Sequence, residues 1–260
     1  MSSTGTIRRS TGCERRSVMK MLAIETATEA CSVALWIDSE VRERFEIAPR
    51  RHAELVLPWA DQLLAEAGIA KTQLDAIAVG RGPGAFTGVR LAVALAQGIA
   101  LALDRPVVAV STLAALAMRI FHPLPLVGEG WGEGGSHILA AIDARMGEIY
   151  FGTFVRDPDG LVTALDTERL AHPAEVALPE DHAWVGIGSG FAVDDSVLSR
   201  TLGPLLLYHD ATALPHASDV ARLAARGFAR GEAIAPERVE PAYLRNNVAL
   251  TLVEQQASRG

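Results

Sequence analysis

Residues 80–90 read Gly-Arg-Gly-Pro-Gly-Ala-Phe-Thr-Gly-Val-Arg and join an apolar stretch at residues 74–79 to a long run of Ala and Leu. The apolar stretch predicts a buried strand, and the run predicts a helix that begins near Thr87. Four glycines allow positive φ angles and close approach to a neighbouring backbone or ligand. The free N–H groups of the helix would point into the turn, as they do where proteins bind phosphate or carboxylate. The stretch therefore predicts an α/β unit whose turn either packs tightly or binds an anion.

The composition is that of a folded, acidic protein. Of the 260 residues, 49% are hydrophobic, which is enough to form cores in one large or two small domains. The formal net charge is −7, and the first twenty residues carry a net +4, which leaves −11 for the rest. Affinity for a phosphate backbone depends on Lys and Arg, so we expect any RNA to be held by a partner.

Cysteine content and hydropathy indicate a cytoplasmic protein. Cys13 and Cys31 alone can form neither a disulfide framework nor a cysteine metal site. No apolar run reaches the roughly 18 residues that span a bilayer. The longest, residues 91–103, contains Gln97, and we expect it to be a buried helix with no membrane role.

The first twenty residues are rich in Ser, Thr and Arg and contain no apolar stretch. They predict a disordered basic extension, or a tail upstream of the true start codon at Met19 or Met21. An organelle transit peptide and a basic interaction arm are the alternatives.

Residues 21–121 are predicted to form a first domain. Apolar alternation predicts three strands, at residues 21–24, 31–37 and 41–47, and a helical stripe predicts a helix over His52–Ala67. After the glycine turn and its helix come a buried strand, Val107–Val110, and a helix to residue 120 that Ser111 caps.

A Gly/Pro-rich segment at residues 122–136 predicts a linker or an insertion. Its glycines match G-x-G-x-x-G literally, but no strand precedes them and no helix follows, so we reject a dinucleotide site. The second domain, residues 137–260, then repeats the opening of the first: a strand that ends at Asp143, a tight turn, and a strand from Glu148. Another strand and glycine turn follow at residues 183–190, then helices at residues 217–230 and after Pro241.

Two duplicated α/β halves, each opening with a hairpin at an acidic residue, suggest the actin-like architecture, also called ASKHA or ribonuclease H-like. In that architecture each domain is a mixed sheet with helices, and a nucleotide lies between the domains. In proteins of that architecture the acidic residues bind the metal ion and the hairpins bind the phosphates of the nucleotide. Because this step is an analogy of fold, function must be argued from the site.

Several separated motifs closely resemble the TsaB (YeaZ) family over about residues 19–250. They are residues 21–35, 51–58, 80–90, 141–150 and the run Pro-Ala-Tyr-Leu-Arg at 241–245. The resemblance implies a two-domain actin-like protein that assists in making threonylcarbamoyladenosine in tRNA, as a partner of the catalytic paralogue TsaD and of the ATPase TsaE. It also implies that ATP and metal belong to those partner subunits and that tRNA is bound only through the complex. The glycine-turn signature comprises Gly80, Gly82, Pro83, Gly84, Phe86, Thr87, Gly88 and Arg90.

The chain departs from the family at its first acid, where Glu25 stands in place of the usual Asp. Six residues are candidates for a vestigial nucleotide site: Glu25, Thr26, Asp143, Arg145, Gly188 and Ser189. The alternative, which we favour, is that the acids are hairpin ends whose carboxylates accept turn N–H groups. The paralogue's His-x-x-x-His metal pair is missing from the sequence, as is a G-x-S-x-G nucleophile elbow, so we expect no metal site and no catalytic residue.

The long helix favours the interpretation that the chain is a subunit that binds a partner. Apolar residues occur on all sides of this helix, and one sheet would cover only one side. The predicted interface comprises Leu55, Trp59, Leu63, Leu91, Leu95, Gly98 and Ile99. A central helix covered within its own domain is the alternative. The resemblance implies pairing with TsaD or with a second copy of the chain, and so a non-catalytic scaffold that orders TsaD and recruits TsaE. The competing function is an independent ATP-dependent carbamoyl transferase or hydrolase.

Overall fold

A computed structural model of the chain describes residues 18–120 and 137–245. The basic extension predicted for residues 1–20, apart from its last three residues, lies outside this range. So do the linker predicted at 122–136 and most of the helix predicted after Pro241; residues 241–245 themselves are not helical.

Residues 18–120 contain five strands and three α-helices. In chain order they are β1 (Lys20–Glu25), β2 (Ala30–Ile37), β3 (Glu40–Ile47), α1 (His52–Ala67), β4 (Ala76–Gly80), α2 (Phe86–Leu103), β5 (Val107–Val110) and α3 (Thr112–Ala117). The Ser111 side chain accepts a hydrogen bond from the Ala114 N–H at 3.1 Å, which confirms it as the cap of α3.

The second half contains six strands and two helices among the described residues. They are β6 (His137–Arg145), β7 (Glu148–Arg156), β8 (Val162–Ala164), β9 (Arg169–Ala171), β10 (Trp184–Ile187), α4 (Val197–Leu202), β11 (Leu206–Asp210) and α5 (Ala217–Ala229).

The two sheets share one topology, which confirms the predicted duplication. The first has the strand order β3-β2-β1-β4-β5 and the second β8-β7-β6-β10-β11, with β9 also paired to β7. In both, the opening hairpin continues into an antiparallel third strand, and the opening strand pairs in parallel with the strand before the glycine turn. The fold is therefore α/β, with two mixed sheets of the actin-like kind.

The alternation of side chains along β1 divides the core into two layers. Leu22 and Ile24 face α1 and α2 on one side of the first sheet, whereas Met21 and Ala23 face the other side. There α5, from the second half of the chain, packs on β1 and β2, while α3, from the first half, packs on β6 and β7. Each sheet is built from one half of the chain, whereas these two helices pack on the sheet of the other half and build one shared core.

Helix α2 is only partly buried, contrary to the expectation of a covered helix. Its 18 residues have a mean hydropathy of 1.7, enough in length and composition to cross a membrane. One face of α2, with Ala92, Val93 and Ala96, is buried against the first sheet, while Ala94, Gly98 and Leu101 are exposed. The remaining face of α2 is apolar, and none of residues 18–120 and 137–245 covers it.

Candidate functional site

The glycine turn after β4 packs on the β1–β2 hairpin. A Cβ atom at Gly84 would lie 2.4 Å from the Ala27 carbonyl oxygen, and one at Gly88 would lie 2.0 Å from the Thr26 carbonyl oxygen. Hydrogen bonds close the contact, with the Ala85 N–H donating to Ala27 O and the Thr26 hydroxyl donating to Gly88 O. The glycines therefore serve close packing of backbone on backbone.

Glu25, at the end of β1, lies inside the protein with 1% of its surface exposed. Its carboxylate accepts the Ala27 N–H at 2.7 Å and the Thr112 hydroxyl at 2.9 Å. A Cβ atom at Gly80 would lie 1.9 Å from the carboxylate, so the missing side chain at that position makes room for it. Burial raises the pKa of the Glu25 carboxyl group from its ordinary 4.5 to about 7, although the hydrogen bonds oppose the shift.

The second hairpin repeats this arrangement closer to the surface. One oxygen of Asp143 accepts the Arg145 N–H at 2.7 Å, and the other pairs with the Arg145 guanidinium. The Ser189 hydroxyl accepts the Asp143 N–H at 3.1 Å. Gly188 has φ +104° and packs against the Ala141 carbonyl. Both hairpin acids thus accept the N–H two residues further on.

A cavity of about 730 Å³ lies between the two hairpins. Its walls come from the β1–β2 turn, the first turn of α2, the β6–β7 turn and residues 242–245. Of the predicted site residues, the structure brings together five around this cavity: Gly84, Phe86, Asp143, Arg145 and Ser189. Glu25, Thr26 and Gly188 lie outside its lining, beneath the two hairpins.

Sequence reasoning missed several residues that line the cavity, including Arg50, Tyr150, Tyr243 and Arg245. Tyr243 and Arg245 belong to the Pro-Ala-Tyr-Leu-Arg motif. This motif matches no known catalytic or ligand-binding pattern, so it served only as evidence for the family. Arg50 has a φ of +71° in a short turn before α1, which nothing in its sequence context indicates.

The cavity has a poor set of metal ligands. Within residues 18–120 and 137–245, no cluster of three or more His, Cys, Asp or Glu side chains is arranged to hold a metal ion. Glu25 is enclosed by its hydrogen-bond donors, and Asp143 is paired with Arg145. His52 lies on the cavity wall with its Nε2 atom 3.1 Å from the Thr28 carbonyl oxygen.

The predicted partner interface divides into exposed and buried residues. Leu63 is 1% exposed and packs in the core beneath α1, so its predicted place in an interface is wrong. Leu55, Trp59, Leu91, Leu95 and Ile99 are half-buried, and Gly98 is exposed. We use the name α2 surface for the exposed residues Ala94, Gly98, Leu101 and Ala102, of which Leu101 is 60% exposed.

Comparison with known proteins gives consistent matches over most of the chain. A family model described as TsaD, tRNA N6-adenosine threonylcarbamoyltransferase, matches residues 45–251. The protein named tRNA threonylcarbamoyladenosine biosynthesis protein TsaB of Escherichia coli is 42% identical over 234 residues, which cover 89% of this chain and 96% of that protein. The protein of the same name from Haemophilus influenzae is 35% identical over 88% of this chain and 95% of its own length.

Solved structures agree with these relatives. The crystal structure of an uncharacterized Pseudomonas aeruginosa protein with similarity to the peptidase YeaZ superposes with a TM-score of 0.77 at 41% identity. A structure of YeaZ from the same organism gives a TM-score of 0.76, also at 41% identity. Each covers 87% of this chain and 100% of the solved chain. The chain therefore belongs to the TsaB (YeaZ) family of tRNA threonylcarbamoyladenosine biosynthesis proteins.

Proposed function

We propose that the chain is a non-catalytic subunit of a cytoplasmic complex that makes threonylcarbamoyladenosine in tRNA. Its α2 surface docks on a TsaD-type transferase and favours the active form of that enzyme, and the pair recruits TsaE. ATP and metal are bound by those subunits, and tRNA is bound by the assembled complex. In the absence of TsaD, a second copy of the chain covers the same surface.

The observation that carries this proposal is the apolar outer face of α2, which the described part of the chain leaves exposed. Arg90 is the one charged residue between Phe86 and Leu103. Ala94, Gly98 and Ala102 have little or no side chain, which lets another helix approach closely. Gln97 does not break this face, because its amide donates to the Pro236 and Val239 carbonyls. An exposed apolar face of this kind marks an interaction site in a protein of this class.

The hairpin acids support the non-catalytic part of the proposal. A working phosphate site needs carboxylates that face the cavity and are free to hold a metal ion. Here Glu25 is enclosed beneath the first hairpin, and Asp143 is held by Arg145. Neither hairpin acid is therefore free to bind a metal–nucleotide complex, which disfavours an independent carbamoyl transferase or hydrolase.

The test is co-purification and reconstitution with TsaD and TsaE from the same organism. An Ala94→Glu variant places a carboxylate on the α2 surface, where docking would bury it without a partner. We expect the Kd for TsaD to rise about 100-fold or more, since an uncompensated buried charge costs about 3 kcal/mol or more. Modification of tRNA by the three-protein mixture should fall in parallel.

The matched control is Ala174→Glu, which makes the same change at an exposed alanine of the second half. It should leave affinity and tRNA modification unchanged. If a folded Ala94→Glu variant binds TsaD as the wild type does, the α2 surface is not the docking site. Modification of tRNA at the full rate without this chain would remove the proposed function altogether.

A further inference from the structure

Residues 241–245, which we call the strap, cross the cleft between the two halves of the protein and contact both of them. The Ala242 N–H donates to the Arg81 carbonyl in the glycine turn at 2.8 Å. Three residues later, the Arg245 guanidinium pairs with Glu148 and donates to the Ala144 carbonyl at 3.2 Å, on the second hairpin. A short segment without helix or strand therefore ties the first glycine turn to the β6–β7 turn.

The strap also divides the cleft into two compartments. The cavity of about 730 Å³ between the hairpins lies on one side, and a cavity of about 720 Å³ lies on the other. Ala242, Tyr243 and Leu244 line both. Movement of these three residues would therefore change the shape of the whole interdomain space.

Tyr243 connects the strap to the beginning of α2. Its hydroxyl accepts a hydrogen bond from Arg90 Nε at 2.9 Å, and the Arg90 guanidinium carbon lies 3.2 Å from the centre of the Phe86 ring. Phe86 is 60% exposed and Tyr243 54% exposed. Arg90 lies one helical turn before Ala94, so this stack of Phe86, Arg90 and Tyr243 borders the α2 surface.

The charge of Arg90 indicates what a partner must supply. Among the described residues the structure shows no ion pair for Arg90, which is exposed. A partner that covers α2 would bring this guanidinium into a poorly solvated setting, where a charge is costly unless it is paired. A carboxylate that accepts from its remaining N–H groups removes that cost, and Tyr and Arg are residue types that dominate interface energetics.

We propose that the Phe86–Arg90–Tyr243 stack forms the rim of the docking surface and that Arg90 binds a carboxylate of the partner. The strap then couples docking at this rim to the cleft between the two halves of the protein. This inference rests on the proposed function, because it takes a TsaD-type protein as the occupant of the α2 surface. Docking restricts the motion of the Arg90 side chain, and the hydrogen bond from Arg90 restricts Tyr243 in turn. Because Tyr243 belongs to the strap, the contacts of Arg245 then restrict the motion of the β6–β7 turn.

The test is hydrogen exchange of the full chain, free and saturated with TsaD. In the wild type, docking should slow exchange at residues 143–149 and 241–245 by about tenfold, the size of a typical coupling between two sites. Tyr243→Phe, which removes the acceptor of Arg90, and Tyr243→Ala should abolish this slowing at residues 143–149 while TsaD still binds at saturation. Tyr208→Phe and Tyr208→Ala are matched controls at another exposed tyrosine, and both should behave as the wild type.

The carboxylate is tested separately with Arg90→Gln, which should weaken TsaD binding about tenfold and reduce its dependence on salt. Unchanged affinity with Arg90→Gln overturns the assignment of a partner carboxylate. Normal TsaD binding without slowed exchange at residues 143–149 overturns the coupling and leaves the proposed function intact. Slowed exchange that survives both Tyr243 variants overturns the route through the strap. Failure of the wild-type chain to bind TsaD refutes the proposed function itself.

Discussion

Glu25 shows how one buried side chain can join three separate parts of the fold. Its carboxylate links the first hairpin to Thr112 at the start of α3, 87 residues further along the chain. Thr112 in turn accepts the Gly82 N–H at 3.2 Å, so the hairpin, the glycine turn and α3 meet at this one group. The sequence predicts the hydrogen bond to the turn N–H, but the contact with Thr112 depends on tertiary packing that no local pattern encodes.

The pKa of Glu25 predicts an unusual dependence of stability on pH. The unfolded carboxyl group loses its proton near pH 4.5, whereas the folded one keeps it until about pH 7. Its contribution to stability is therefore complete below pH 4.5 and is lost as the pH rises to 7, by about 3 kcal/mol in all. Urea unfolding at pH 5.5 and pH 8 spans about 2 kcal/mol of this loss, which should appear in the wild type and not in Glu25→Gln.

Glu29→Gln is the matched control, since Glu29 is an exposed acid at the end of the same hairpin turn. It should keep the pH dependence of the wild type. Equal pH dependence of the wild type and Glu25→Gln would show that the buried carboxyl group does not titrate in this range.

At the scale of elements, periodicity located most of the structure in the first half. His52–Ala67 and Val107–Val110 have the predicted bounds, while α3 ends at Ala117, a few residues earlier than expected. The short strands β8, β9 and β11 and helix α4 were not predicted, because elements of three to six residues contain too few positions to show a period. The site was predicted in part, since sequence identified the hairpins and glycine turns but not the strap that meets them.

Two glycines of α2 should respond oppositely to the same substitution. A Cβ atom at Gly88 would lie 2.0 Å from a backbone oxygen, whereas one at Gly98 meets nothing within 4 Å. We expect Gly88→Ala to lower the free energy of unfolding by about 2 kcal/mol or more, because the backbone must shift. Gly98→Ala should raise it by about 1 kcal/mol, because alanine favours helix. Urea unfolding of both variants, at one low protein concentration, measures the difference.

A loss of stability in both variants would mean that α2 is strained along its length and not only where it meets the hairpin. A gain in both would mean that the first turn of α2 can move away from Thr26 without cost. Each variant therefore serves as the control for the other.

At the scale of the whole molecule, the sequence suggested the duplication but not the exchange of helices. The hairpins and glycine turns repeat visibly, whereas the apolar stripes of α3 and α5 show only that each helix has a buried face. The small residues Ala23, Ala34, Ala76 and Ala78 on the inner side of the first sheet accommodate α5, yet they would accept any helix of suitable shape. Which of the two sheets a helix packs on depends on the complete fold, and the periodicity of apolar residues does not predict it.

The two enclosed hairpins predict weak nucleotide binding by the isolated chain. Titration calorimetry with ATP and Mg²⁺ should give a Kd weaker than about 1 mM, because neither Glu25 nor Asp143 is free to hold the metal. Addition of TsaD should restore binding to the mixture. A micromolar Kd for the chain alone would instead support an independent ATP-dependent enzyme.

Completion of the first sheet during synthesis must wait for α5. The inner side of β1 and β2 is covered by α5, which leaves the ribosome almost 200 residues after β1. At ordinary elongation rates this interval is about ten seconds or more, during which an apolar sheet face lies open. The nascent chain therefore exposes this apolar surface for longer than a protein in which each half packs only on residues of its own half. Because α3 and α5 each pack on the sheet of the other half, the first sheet is completed only after most of the chain has been made.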